Sequence, residues 1–230
     1  MVISIIIAHY GNSKYLEDCL LSIEQNTYIP HEVITVNTEK PRISVAEAWN
    51  EGIESATGEI VVILNDDTLV SEFWLSRLYW YLQAIDNAMV STPSTSKCAS
   101  IIYTELYDKM KPDVKSTADV NRFNKIVSKY YGLSYKKLAS HEVTGFCAMF
   151  RKKDWELAGK FYKGFKYAYG EENDFFDKLS KKKKGVFVLA SGVYVHHFKG
   201  KTTERVKDLD LIACKALYER RRHERRKKTT

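Results

Sequence analysis

The amino-acid sequence predicts an α/β fold in which a central, mainly parallel sheet is flanked by helices. Three observations carry that prediction. Val2–Ala8 and Glu59–Leu64 are apolar runs of the kind found in strands buried on both faces. Stretches with apolar residues at helical spacing separate and follow them. The two patterns alternate, strand then helix, three times between residues 1 and 90, and such alternation builds a parallel sheet covered by helices.

Each element has its own signal. Val2–Ala8 reads as a buried first strand, followed by the loop His9-Tyr10-Gly11-Asn12. Ser13 is placed to cap a helix carrying Tyr15, Leu16, Cys19, Leu20 and Ile23. Glu32–Asn37 is a second strand, and a loop with Pro41 leads to a helix through Ala46, Trp49 and Ile53 that ends near Gly58. The third strand, Glu59–Leu64, stops at Asn65-Asp66-Asp67-Thr68, and Ser71 is the expected cap of a helix with Trp74, Leu75, Leu78, Leu82 and Ile85. From 91 to 140 the pattern is less regular, with one amphipathic helix through Val120, Phe123, Val127 and Tyr130. Strand-like runs follow at Val143–Phe150, Val186–Ala190 and Val193–Val195, with a helix opening at Gly170-Glu171-Glu172-Asn173-Asp174. A last helix, apolar through Val206, Leu209, Ile212, Ala213, Ala216 and Leu217, runs into the basic stretch Arg220–Lys228. The expected organisation is one domain over residues 1–203, with halves 1–90 and 91–203, and a helical tail over 204–230.

Charge narrows the function classes. The formal net charge is +7, and the tail from Lys215 onward holds eight Lys or Arg against two Glu. The rest of the chain is nearly neutral, unlike a general nucleic-acid binder, so no specific nucleic acid is expected. The tail itself can be a solvated end, a peripheral contact with anionic membrane, or a non-specific nucleic-acid contact. Cys19, Cys98, Cys147 and Cys214 form no Cys-x-x-Cys pair, which argues for reduced, buried thiols rather than a zinc site. No apolar run is long enough to cross a bilayer, and no basic segment precedes the first run, so a cytoplasmic location is expected.

Three polar clusters stand where chemistry could occur. In parallel sheets ligands gather beyond the carboxyl ends of the strands, which is where His9, Asn37 and Asp66 fall. Asp66-Asp67 is either a solvated turn or a pair of hard oxygen ligands for Mg²⁺ or Mn²⁺. Glu171, Glu172 and Asp174 crowd a helix N-terminus, where the dipole favours acids and can hold a general base ionised. His196 and His197 end a strand, so alternation lets only one face a given site. Lys181–Lys184 reads as a solvated helix end.

In their order along the chain these segments resemble the family 2 glycosyltransferases, whose fold is the Rossmann-like GT-A fold. The segment Ser4–Asn12 is similar to the family's first strand and loop, and Trp49-Asn50-Glu51-Gly52-Ile53 to its Asn-x-Gly-Ile helix. Leu64-Asn65-Asp66-Asp67-Thr68 is similar to the DXD-type metal motif, and Thr144–Met149 to the acceptor-side strand. Tyr169–Asp174 resembles the Gly-Glu-Asp-x-Asp segment of the catalytic base, and His196 through Thr202 the late histidine segment. Two departures stand out. Asn37 lies near the place where the family usually has an acid, and Glu172 stands where aspartate is commoner.

The resemblance implies a sugar transfer from a nucleotide-diphosphate donor to a hydroxyl of a glycan, glycolipid or protein acceptor, with inversion and with a divalent cation, Mn²⁺ or Mg²⁺. It implies that His9, Tyr10, Asn37 and Asn50 contribute to donor binding and that Asp66 contacts ribose or a metal-bound water. It assigns Asp67 to the cation and Glu172, or alternatively Asp174, as base. One of His196 and His197 would support the metal or diphosphate, and the spacing of His197 to Thr202 fits the family better. A nucleotidyltransferase is the enzymatic rival, but no basic, Gly-rich triphosphate loop is visible early in the chain. A non-catalytic binding module is the other rival.

Overall fold

A computed structural model describes residues 1–11, 13–96, 104–166, 169–200 and 211–227. Strand β1 (Ile3–His9) is buried along its whole length. It pairs in parallel with β2 (His31–Asn37) on one edge and β3 (Ile60–Asn65) on the other. Helices α1 (Lys14–Asn26) and α2 (Val45–Ser55) make the crossovers. Their starts are written locally. Ser13 Oγ accepts from Leu16 N–H at 3.3 Å, and Ser44 and Glu47 form a reciprocal capping box.

A short strand absent from the sequence pattern, β4 (Thr68–Val70), precedes α3 (Trp74–Ala84). The expected cap of α3 is corrected here. Ser71 supplies its backbone carbonyl to Trp74 N–H at 3.2 Å, while Phe73, at φ 61°, holds the N-cap position without a side-chain bond. Residues 91–140 contain the end of β5 (Ala88–Ser94), α4 (Glu105–Met110), α5 (Thr117–Tyr131) and β6 (Tyr135–Leu138). The run expected as one strand over Val143–Phe150 becomes strand only at β7 (Cys147–Arg151), which leads into α6 (Lys152–Ala158). Next comes α7 (Glu171–Lys182), and the two short runs after it are one continuous strand, β8 (Val186–His197). The chain closes with α8 (Leu211–Lys227).

The strands form one eight-stranded sheet in the order β2-β1-β3-β7-β5-β8-β4, with β6 also on β8. Strands β2, β1, β3, β5 and β8 run the same way, and β7 is inserted antiparallel between β3 and β5. The sheet is therefore mainly parallel, as the sequence predicts. A second, smaller apolar cluster of Leu106, Val120, Phe123, Val127 and Tyr194 forms where α4 and α5 cover the end of β8. Among the described residues, no helix is long and apolar enough to cross a membrane. Cys19, Cys147 and Cys214 are free and buried, while Cys98 lies outside the described residues.

Lys181, Lys182 and Lys184 are exposed, as expected of a solvated helix end, whereas Lys183 and the C-terminal helix depart from the sequence reading. Lys183 does not end in solvent. Its ammonium sits 2.7 and 2.9 Å from the two carboxylate oxygens of buried Asp154. In α8, Ile212 is 84% exposed, whereas Cys214 and Tyr218 are buried. The packed face continues through Arg221, Arg222 and Arg225, which pair with acids of α7. This part of the tail is therefore a docked helix rather than a free basic end. Val206 and Leu209 lie outside the described residues.

Candidate active site

The carboxyl ends of β1, β2 and β3 meet through their register. His9 lies opposite Asn37, and Ala8 lies opposite Asn65. His9 Nδ1–H donates to the Gly11 carbonyl at 2.8 Å, which fixes the ring over the loop. Asn37 Oδ1 accepts from Glu39 N–H at 2.8 Å. Arg42 donates to the Tyr10 hydroxyl at 2.7 Å and lies over its ring, 4.9 Å from the centroid. A Cβ on Gly11 would meet the Glu39 carboxylate at 3.2 Å. Glu39 is thus an acid beside the first loop, two residues after β2, and the sequence reading missed it by stopping at Asn37.

Asn50 is corrected. It is 1% exposed. Its Nδ2 donates to the Phe161 carbonyl at 2.9 Å, and its Oδ1 accepts from Trp155 Nε1–H and Phe161 N–H, both at 3.0 Å. The amide is consumed in tying α2 to the segment after α6, so Asn50 is structural.

Asp66 and Asp67 sit in the tight turn between β3 and β4, and both are buried. Strand β4 pairs antiparallel with β8, with Thr68 opposite His197. That register brings Asp67 to the histidine, and Asp67 Oδ1 lies 3.0 Å from His197 Nε2. Phe146 stacks on the imidazole at 5.3 Å between ring centres, with 18° between planes. The pair suits a hard divalent cation. Cis oxygen and nitrogen ligands at about 2.1 Å from one octahedral ion stand about 3.0 Å apart. Two protein ligands are also what Mg²⁺-class ions take when substrate phosphates complete the shell. Among the described residues no group of three or more His, Cys, Asp or Glu gathers anywhere, so a cation here would depend on the donor phosphates.

His196 is corrected as a metal ligand. Alternation along β8 turns it to the other side, where it is 4% exposed. There its Nδ1 meets the Tyr194 hydroxyl at 2.9 Å, and its ring packs edge-on against Phe198 at 4.7 Å. Burial, with His197 nearby, pushes its pKa down to about 4, so it is a neutral core residue at physiological pH.

The acids of α7 separate into different roles. Asp174 is fully buried, receives two hydrogen bonds from Arg221 at 2.8 and 3.3 Å, and also pairs with Arg225. An acid committed to two guanidinium groups is not free to take a proton, so Asp174 is corrected as a base candidate. Glu172 differs. Its Cβ lies 3.4 Å from a Cβ built on Gly145, the backbone N–H groups of Glu172, Gly170 and Gly145 favour its ionised form, and its Oε2 is buried with no partner. Burial raises its pKa above the ordinary glutamate value, while the three N–H bonds oppose the rise. Glu171 is 3% exposed, its Oε2 also lacks a partner, and burial together with the Glu172 charge raises its pKa well above the ordinary value.

Gly145 and Phe146 join the two halves of the site. Gly145 holds Glu172, and Phe146 stacks on His197 while its carbonyl accepts from Asn65 N–H at 2.8 Å. A side chain on Gly145 would collide with Trp49, whose Cη2 lies 2.5 Å from the Cβ position, so only glycine lets the segment pass so close.

Comparison with known proteins identifies the family and the fold. Residues 38–158 match the family model "Glycosyl transferase family 2". The crystal structure of GalNAc-T7 with UDP, GalNAc and Mn²⁺ is similar, with TM-score 0.60 and 11% identity over 86% of this chain and 44% of that one. Residues 1–349 of S. aureus TarS are similar with TM-score 0.59 and 13% identity over 95% of this chain and 69% of that one. The chain therefore spans less than half of the GalNAc-T7 structure it resembles. At these identities the likeness is one of fold, the GT-A fold. No curated protein sequence matches the chain.

Proposed function

Since the chain belongs to glycosyl transferase family 2, we propose that it transfers a sugar from a nucleoside-diphosphate donor to an acceptor hydroxyl, using Glu172 as base and Asp67 with His197 as the cation-binding pair. One observation carries the reading. Consecutive residues, Gly145 and Phe146, touch the candidate base on one side and the candidate metal pair on the other. One short segment thereby borders both the candidate base and the candidate cation pair. The GalNAc-T7 structure, which holds UDP and Mn²⁺, supports the choice of donor class and cation.

In this mechanism His9, Tyr10, Glu39 and Arg42 receive the nucleoside end. Tyr10 offers a ring already backed by a guanidinium, and Glu39 an acid for donor N–H or O–H groups. A divalent cation held by Asp67 and His197 would neutralise the charge that grows on the leaving diphosphate. Glu172 Oε2 accepts the proton of the acceptor hydroxyl as that oxygen bonds to the anomeric carbon. The bond from the anomeric carbon to the diphosphate oxygen breaks, and the nucleoside diphosphate departs. Attack from the face opposite the diphosphate inverts the anomeric centre. Asp66, buried in the same turn, orients Asp67 and the ribose end.

The test is release of UDP or GDP from a panel of sugar nucleotides, with and without Mn²⁺, by the parent chain and by Asp67→Asn. Release that requires Mn²⁺ and falls at least about tenfold in Asp67→Asn is expected. Equal release by both proteins, indifferent to Mn²⁺, refutes the assignment.

A further inference from the structure

The structure gives the C-terminal helix work beyond packing. Arg221 makes two hydrogen bonds to Asp174, a bidentate arrangement whose planar fork fixes direction as well as distance. Arg225 pairs with the same carboxylate, and Arg221 also lies over the Tyr162 ring at 3.4 Å. Asp174 is fully buried and its N–H donates to the Gly170 carbonyl at 2.9 Å, so it belongs to the first turn of α7, the turn that carries Glu172.

Two further contacts lead from α8 to the atoms that hold Glu172. Gly170, whose N–H is one of the Glu172 donors, adopts φ 102°, and a Cβ there would meet Tyr218 at 3.3 Å and Phe165 at 3.0 Å. Tyr218 OH donates to Asp177 at 3.0 Å, and Asp177 accepts from Ser140 Oγ at 2.5 Å. Ser140 begins the short 3-10 turn Ser140–Glu142 that leads to Gly145, the second donor. Asn173 Nδ2 strengthens this seam through the His141 carbonyl at 3.2 Å. Both supports of the base, the α7 turn and the 140–145 segment, are therefore tied to α8.

We propose that Arg221 and Arg225 are positioning residues, which act through Asp174 to hold the first turn of α7, and with it Glu172, in register with the Gly145 N–H. This rests on Glu172 being the base. The helix does not touch the reacting atoms. It sets the direction of the carboxylate, leaving Oε2 the free oxygen. Glu171 is the neighbouring acid within α7, and Asp174, Asp177, Lys178, Arg221 and Arg225 are the charges of the seam beneath it.

The test uses the full chain with R221K/R225K, which keeps both charges but cannot reproduce the bidentate fork. Steady-state kinetics uses the sugar nucleotide that gives the fastest release, and side-chain carbon NMR follows the titration of Glu172, assigned by its loss in Glu172→Gln. A misplacement of about 1 Å costs about 10²-fold. A fall in kcat of at least about tenfold is therefore expected, with donor KM changed by less than about twofold. The Glu172 titration should move to higher pH, because loosened N–H bonds no longer oppose its burial. A folded R221K/R225K with an unmoved Glu172 titration overturns the proposal, whatever happens to kcat. Should the double variant not fold, Arg221→Lys alone carries the same test. If Glu172→Gln turns over within a few-fold of the parent, the base assignment fails. An altered titration in R221K/R225K would then still support the positioning.

Discussion

Removing residues 219–230 deletes Arg221, Arg222 and Arg225 together. In the intact chain Asp174 has no solvent exposure, and the side chains of Arg221 and Arg225 are only 22% and 17% exposed. Truncation leaves Asp174 with Lys178 alone, 3.9 Å away. Stranding a buried charge by deleting its partner costs about 3–5 kcal/mol. The remaining lysine offsets part of that, since its side chain is already largely buried and burial lowers its pKa to about 8. Asp177 loses two longer contacts, at 3.7 and 3.8 Å, but keeps Ser140 and Tyr218, so it adds little. A net loss of about 3 kcal/mol is expected. For a chain of this length that corresponds to a fall in Tm of about 6–12 °C. Differential scanning calorimetry of the full chain and the 1–218 chain measures it, with Arg220→Gln, an exposed site, as the control for lost charge. A fall under about 2 °C would show that α8 contributes no stabilising pairs and would refute the electrostatic reading of its docking.

Three other outcomes follow from the site. His197→Ala should abolish Mn²⁺-dependent binding of UDP or GDP in calorimetric titration, whereas His196→Ala should lower Tm yet preserve that binding; the reverse pattern would mean that the two faces of β8 are misassigned. Glu172→Gln should reduce turnover by about 10²–10⁴-fold with little change in donor binding. Because the active form is the carboxylate and burial raises its pKa, the parent's kcat should rise with pH through a midpoint above the ordinary glutamate value; a midpoint at or below that value contradicts the buried environment. Glu171→Gln should stabilise the protein above the unfolded glutamate pKa of about 4.3. The raised pKa of Glu171 means that folding takes up a proton there, a cost that grows with pH and that the amide does not incur. Thermal melts at pH 4 and pH 7.5 should converge at the lower pH, and equal melting points at pH 7.5 would argue that Glu171 folds ionised.

What the chain states locally could be read without a structure. The apolar runs of β1 and β3 name buried strands because their neighbours along the chain are enough to exclude water-facing alternatives. Ser13 and Ser44 name helix starts because a cap bonds only three residues ahead. The strand-end polar residues, the Asp66-Asp67 turn and the acids opening α7 were visible for the same reason. The selection among them was not. Which histidine meets Asp67 depends on which face of β8 looks into the site, and that is set by the pairing of β4 with β8 across 130 residues. Asp174 looks like a second base until Arg221, 47 residues away, takes its carboxylate. Asn50 looks like a donor contact until Phe161, 111 residues on, saturates its amide. Glu39 has no local mark, and only its approach to Gly11 brings it beside the loop after β1. Periodicity and capping report forces that act within a turn or a strand, so the sequence by itself determined the elements and the residues that could react. Burial, pairing and the cancellation of charge act between segments distant in the chain, so only the tertiary structure decided which of those residues are free to do so.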